Sequence, residues 1–223
     1  MKKLFTILLS ALMVFPALAQ SDFGGDLSVS LSKKWGKFNA ALDEELRLQD
    51  NFSKWERGAT SLSVSYKALP FLKLGAIYDL MYSQYEKKDK WKQELRQRAS
   101  LYVSGDVDAG RWNFQLRERY QATFRQSKDW QSPKQYLRSR FKAAYDLPHS
   151  AFEPYASVEM YYTLFPAKVA DEGINRWRYT AGCEYRLNKK NSLEAYYRFT
   201  QYVTDDKDDA DGHLLGVSFA HKF

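Results

Sequence analysis

The stretch NFQLRERYQATFR, Asn113–Arg125, decides how this chain folds. Phe114, Leu116, Tyr120, Ala122 and Phe124 occupy its even positions, and Arg117, Arg119 and Arg125 its odd ones. Successive side chains of a β-strand point to opposite faces, so strict alternation over this length is the signature of a strand with two different surroundings. An ordinary core strand turns small polar groups to water. Here one face wants an apolar medium, and the other carries a row of fixed positive charges.

Working outward, the same period recurs over Leu27–Lys33, Phe38–Leu48, Leu62–Ala68, Leu72–Tyr82, Leu95–Val103 and Trp112–Phe124. It continues over Leu137–Tyr145, Pro154–Leu164, Trp177–Leu187, Leu193–Val203 and Leu215–Phe223. Aromatic and β-branched residues fill these runs, and helical periodicity is confined to the N-terminus. Short connections (Trp35-Gly36-Lys37, Leu69-Pro70, Gly105–Gly110, Leu147–Ser150, Asn188–Asn191) alternate with longer polar ones: QDNFSKWERG, YEKKDK, QSKDWQSPK, PAKVADEGIN and TDDKDDADG. Tight turns at one rim and longer loops at the other predict an all-β, antiparallel, up-and-down transmembrane barrel of the bacterial outer membrane.

The N-terminal MKKLFTILLSALMVFPALAQ has the three parts of a secretory signal. Lys2 and Lys3 form its basic end, Leu4–Phe15 its apolar core, and Ala17-Leu18-Ala19 its small-x-small cleavage site. The segment is shorter than the roughly 20 apolar residues that a spanning helix needs. The expected organisation is a signal peptide over 1–19 and one barrel domain over 20–223. Without Lys2 and Lys3, 32 Lys+Arg stand against 27 Asp+Glu, a net charge of +5. That small, interspersed excess in an exported chain argues against nucleic acid. Cys183 is the sole cysteine, which excludes an internal disulfide.

All six tryptophans (Trp35, Trp55, Trp91, Trp112, Trp130, Trp177) fall at or just beyond run ends, where amphipathic rings would meet the headgroups of outer-membrane lipid. HLLGVSFAHKF ends on Phe223, a terminal aromatic of the kind the barrel-assembly machinery recognises. The roughly 204 residues after the signal, at about 17 per strand and connection, predict about twelve strands, with about ten as the alternative.

If Phe114 and its partners face lipid, the lumen receives Arg117, Arg119 and Arg125, joined by Lys92, Glu94, Arg96 and Arg98 from one neighbouring run. Arg138, Arg140 and Lys142 come from the other, and Glu159, Arg176, Arg178, Glu184, Arg186, Glu194 and Arg198 from further round. Asp43, Glu45, Arg47, Lys73 and Asp79 complete the set. A cation on the lipid side at mid-membrane costs about 2–4 kcal/mol, which enforces this sorting. Glu44 and Glu118 break it, through a local bulge or a place near a rim.

Such a lumen admits two readings. Arg–Glu networks would fill a narrow barrel and satisfy one another. Alternatively, the cationic excess over Leu95–Tyr145 would make a channel for small anionic solutes, with Tyr102, Tyr155, Tyr161, Tyr196 and Tyr202 available to stack on sugar rings. Lipid hydrolysis is the enzymatic alternative, but the only histidines are His149, His213 and His221, and no Gly-x-Ser-x-Gly occurs. No catalytic residue, metal ligand or cofactor is expected, and the acidic Thr204–Gly212 lacks EF-hand spacing. Binding through the outer loops is a further possibility that no motif supports.

LRSRFKAAYDLPHSAFEPYASVEMYY joins an Arg-x-Arg strand, a proline turn and Pro-Tyr-x-x-x-Glu (Pro154, Tyr155, Glu159). NRWRYTAGCEYRLNKKNSLEAYYRF adds an arginine strand ending in a basic turn, Glu45 and Arg47 an acidic-x-Arg strand, and LKLGAIYDL a glycine–tyrosine strand. Together these resemble the Gram-negative outer-membrane family known as domain of unknown function 2490. The resemblance implies a membrane barrel and supplies no activity or ligand. In size and basic interior alone, the chain is also similar to the small porins for acidic oligosaccharides.

Overall fold

A computed structural model describes residues 23–87, 90–128, 130–166, 172–203 and 212–223. The predicted signal segment and the acidic 204–211 stretch lie outside the described residues. Among the described residues, eleven strands close a single barrel. In chain order they are β1 (Phe23–Trp35), β2 (Phe38–Gln49), β3 (Lys54–Leu69), β4 (Leu72–Lys87), β5 (Lys90–Ala109) and β6 (Trp112–Arg125). β7 (Lys134–Tyr145), β8 (Phe152–Leu164), β9 (Gly173–Arg186), β10 (Asn191–Tyr202) and β11 (Gly212–Lys222) follow.

Each strand pairs antiparallel with its sequence neighbours, but β1 and β11 close the cylinder in parallel, from Phe23↔His213 to Ser32↔Lys222. The predicted count of twelve, and a wholly antiparallel sheet, are therefore corrected to eleven strands with one parallel seam. Two causes are visible. The hairpin of β4 and β5 has strands of 16 and 20 residues, which absorb the length assigned to another stave. With an odd number, the first and last strands must run the same way. Odd barrels are uncommon but known.

The short connections, with Phe223, form one rim; the longer ones, with the start of β1, form the other. Gly36 and Gly110 adopt φ of 59° and 63°, which two-residue hairpin turns demand and glycine supplies without strain. Several predicted connections are shorter than expected, two of them for visible reasons. β5 continues to Ala109 because Asp106 stays inward, accepting a 2.7 Å bond from Gln115, and Val107 stays outward. A register shift at Arg47/Leu48 lets β3 begin at Lys54, with Arg57 facing in towards Glu45.

Parity sorts the side chains. Leu27, Val29, Leu62, Val64, Leu101, Leu116, Leu215 and Val217 lie exposed on the outer surface. Asp26, Arg47, Asp79, Glu94, Arg138 and Glu159 are buried on the inner one. Contacts that skip a strand prove the inward direction: Arg198 of β10 reaches Asp26 of β1 at 3.8 Å, and Tyr155 of β8 donates to Glu194 of β10. Glu44 and Glu118 stay on the outer face with neither a bulge nor a rim to excuse them. Each is the seventh residue of its strand, in unbroken register. The hydroxyl directly across donates to each, Thr60 to Glu44 at 2.9 Å and Ser139 to Glu118 at 2.6 Å.

The seam is testable. Val29 and Phe219 lie opposite one another across it. With Cys183 changed to alanine, Val29→Cys/Phe219→Cys should be joined by a short bifunctional thiol reagent in the folded protein. Failure to join, with efficient joining at Val29→Cys/Glu44→Cys across the antiparallel β1–β2 pair, would contradict parallel closure.

Candidate functional site

Eleven strands about 4.8 Å apart and tilted by about 45° give a Cα radius of about 12 Å. A fully extended arginine reaches only about 7 Å from its Cα. Inward arginines on one wall therefore stop short of the axis, and what faces them decides whether the interior is closed.

Around four carboxylates it is tightly knit. Asp26, 2% exposed, takes Arg47 at 2.9 Å and Arg198 at 3.8 Å. Glu45 takes Arg57 at 2.6 Å and Arg47 at 3.4 Å, while Asp79 takes Arg98 at 3.5 Å and the Ser61 hydroxyl at 2.5 Å. Glu159 is the hub of the third cluster. Arg138 donates to both its oxygens at 2.8 and 2.9 Å, and Arg178 stands at 3.6 Å. Tyr161, 2% exposed, has the guanidiniums of Arg138, Arg176 and Arg178 over its ring at 4.4, 4.2 and 5.0 Å. Buried charges survive only with such partners.

Beside the Glu159 cluster the arrangement changes. Across β6 and β7, Arg119 sits directly opposite Arg138, and Arg117 directly opposite Arg140. Like charges in that position repel. Of these four, only Arg138 has a carboxylate as a hydrogen-bond partner. Arg140 donates to the Gln115 amide at 2.6 Å, and Arg117 lies 4.9 Å over the Tyr102 ring. The Nε atoms of Arg117, Arg119 and Arg140 are shut from solvent without an acceptor among the described residues.

About half-way round the strand order from this wall, most inner positions are small: Ser28, Ser30 and Ser32 on β1, Ala41 on β2, Ser63 and Ser65 on β3, and Gly216, Ser218 and Ala220 on β11, with the Asp43 carboxylate opposite Ser30 among them. Long cations thus face short side chains across the barrel. Space remains between them.

The other predicted lumen residues also take inward positions. Arg96 bonds Glu94 at 2.6 Å and sits opposite Arg125. Lys142 lies 3.9 Å over the Tyr155 ring. Glu184 stands between Glu153 and Glu194 in an acidic row nearer the short-turn rim, where Arg186 engages Glu153 at 2.7 Å and Asp146 at 2.9 Å. Trp35 and Trp112 stand at strand ends on the short-turn rim, and Trp55 and Trp91 at strand starts on the other. Trp130 lies in the β6–β7 connection, and Trp177 is four residues inside β9. Of the histidines, His213 faces outward beneath Tyr197, at 2.5 Å, and between Phe23 and Phe199. His221 meets Asn191 at 2.7 Å, and His149 lies in the β7–β8 connection.

Two features escaped the sequence reading. Inward glycines seat the interior tyrosines: a Cβ on Gly75 would stand 2.4 Å from the Tyr102 ring, and one on Gly216 2.1 Å from that of Tyr196. Gly182 makes the same room for Tyr155 and Tyr196. The serine wall was written in LSVSLS (27–32) and SLSVSY (61–66), where serine holds every inward place.

The Glu159 hub has a measurable consequence. Glu159→Gln strips the carboxylate from Arg138 and Arg178, and loss of a buried ion-pair partner costs about 3 kcal/mol. Urea titration of the protein in detergent should show that loss. An unchanged midpoint would contradict the hub.

A family model described as "Protein of unknown function (DUF2490)" matches residues 25–211. No curated protein matches the chain by sequence. Similar solved structures include the KdgM porin in complex with disordered oligogalacturonate, at 12% identity and a TM-score of 0.45, covering 82% of this chain and 90% of that one. The β domain of the Bordetella autotransporter BrkA stands at 11% and 0.43, covering 83% and 82%. The anion-selective porin from Comamonas acidovorans stands at 14% and 0.38, covering 82% of this chain and 52% of that one.

Proposed function

The chain belongs to the DUF2490 family, whose description assigns no function, and on that footing we propose that it is an outer-membrane barrel with a narrow, anion-preferring lumen. The outer surface supports the membrane setting. Leucines, valines and phenylalanines stand exposed all round the cylinder, with Leu101 63% exposed in mid-strand. Rings pair at the strand ends, Phe38 with Tyr66, Trp112 with Tyr145 and Phe152 with Tyr185 at the short-turn rim, and Trp55 with Tyr82 at the other. Such a surface belongs in hydrocarbon flanked by headgroups.

The register-opposed arginines carry the proposal about the lumen. A barrel filled only for structure would pair each inward arginine with an acid, as the Asp26, Glu45, Asp79 and Glu159 clusters do. Arg117 and Arg119 instead sit opposite arginines with no carboxylate partner among the described residues, and Arg140, although opposite Glu159, gives its hydrogen bond to Gln115. Their potential attracts mobile anions and repels cations.

Recordings across a planar bilayer under a salt gradient test this. The reversal potential should report anion preference, and Arg117→Glu/Arg119→Glu should reduce or invert it. Cation preference in the unmodified protein, or a barrel that never conducts, would defeat the proposal and favour the filled barrel.

A further inference from the structure

Arg117, Arg119, Arg138 and Arg140 occupy the corners of a two-by-two grid on the inner wall, made by positions i and i+2 on each of two antiparallel strands. Facing residues in such a pair stand about 5 Å apart, and neighbours along one strand about 7 Å. These are spacings that one small group can bridge.

The guanidiniums differ in what they have left to offer. Arg138 is spent on Glu159 and Gln121, the latter at 2.7 Å. Arg140 gives one Nη to Gln115. Arg117 and Arg119 donate no hydrogen bond to any group among the described residues, and both are half-buried, so their ends are reachable from the lumen. Arg117 is nonetheless held in place by the Tyr102 ring, and Tyr102 itself is seated against Gly75. On the adjoining strand, the Ser100 hydroxyl is shut in without a partner among the described residues, one step along the inner face from Tyr102. Arg117 and Arg119 thus present planar donor forks with no acceptor among the described residues, the first held in place by Tyr102.

A halide neutralises charge but uses a fork poorly, since it is a single acceptor centre. A phosphate or carboxylate presents two or more oxygens on one atom and engages a guanidinium edge through two parallel bonds. From this we infer that the grid is a binding site for polyoxyanions, phosphate- or carboxylate-bearing solutes, and prefers them to halide. The inference rests on the anion-preferring reading above and adds the class of anion. Arg117, Arg119 and Arg140 bind the solute, and Arg138 positions the grid through Glu159. The site adjoins the Glu159 cluster and faces the wall of mostly small side chains, which leaves room for the rest of the solute.

Binding of inorganic phosphate to the full chain in detergent, followed by ³¹P line broadening, reads the site without requiring conduction. Phosphate should broaden at millimolar concentration and resist a large excess of chloride. Arg117→Lys/Arg140→Lys keeps the charge and removes two forks, and should weaken binding about tenfold. Arg119→Lys serves as a second variant should the double one not fold, and heat-modifiable gel migration verifies folding. Arg57→Lys, a charge-preserving change in the Glu45 cluster, should leave binding as it is. Displacement by equimolar chloride, or equal binding by folded arginine and lysine proteins, would overturn the inference. The wild-type reversal potential separates the two claims: anion preference without phosphate binding sinks the site alone, whereas its absence sinks the reading beneath it.

Discussion

A guanidinium cannot rest against hydrocarbon, and in this chain that prohibition orients the strands together. Each stave carries long cations or serines on one parity and leucine, valine or aromatic rings on the other. A slip of one residue would turn a whole row of charges outwards. The penalty per residue is about 2–4 kcal/mol at mid-membrane, so the faces are fixed long before packing is optimised. Closure, tilt and radius then follow from the number of staves.

Once the charges are inside, the interior has to deal with them, and it does so unevenly. Around four carboxylates it is self-sufficient. Asp26, Glu45, Asp79 and Glu159 each hold one or two arginines, drawn partly from strands that are not neighbours in the sheet. Beside the Glu159 cluster, Arg117 and Arg119 have rings and like charges for neighbours and mostly small side chains, with Asp43 among them, across the barrel. That asymmetry, rather than the net positive charge, separates a barrel packed for stability from one with work for its arginines. Glu44 and Glu118 are the reverse anomaly. Two carboxyls sit in mid-strand on the apolar face, each relieved by one hydroxyl across the ladder.

Much of this was legible in the amino-acid order. Alternation in Asn113–Arg125 and its companions is enough to separate inner from outer positions, because strand parity is a local property. The ring positions at strand ends could be read the same way. Three things could not. The parallel seam depends on strand number, which long strands such as β5 obscure in any count by average length. The acid that each arginine meets depends on shear, which brings Asp26 beside Arg198 across an intervening strand. The seating of Tyr102 on Gly75 depends on cross-strand register, so a lone glycine in LKLGAIYDL carried no visible meaning. The serine wall is the exception, since parity in LSVSLS and SLSVSY already places each serine inward.

The partition itself can be measured directly on the stretch from which the rest was built. Single nitroxide labels placed in turn at positions 113 to 125, in the reconstituted barrel, report collisions with oxygen, which dissolves in lipid, and with a polar nickel chelate. Oxygen collisions should peak at 114, 116, 118, 120, 122 and 124, and nickel collisions at the odd positions between them. Peaks in the opposite phase would place the arginines against lipid, and a flat profile would mean that this segment is no wall of a barrel; either result contradicts the account.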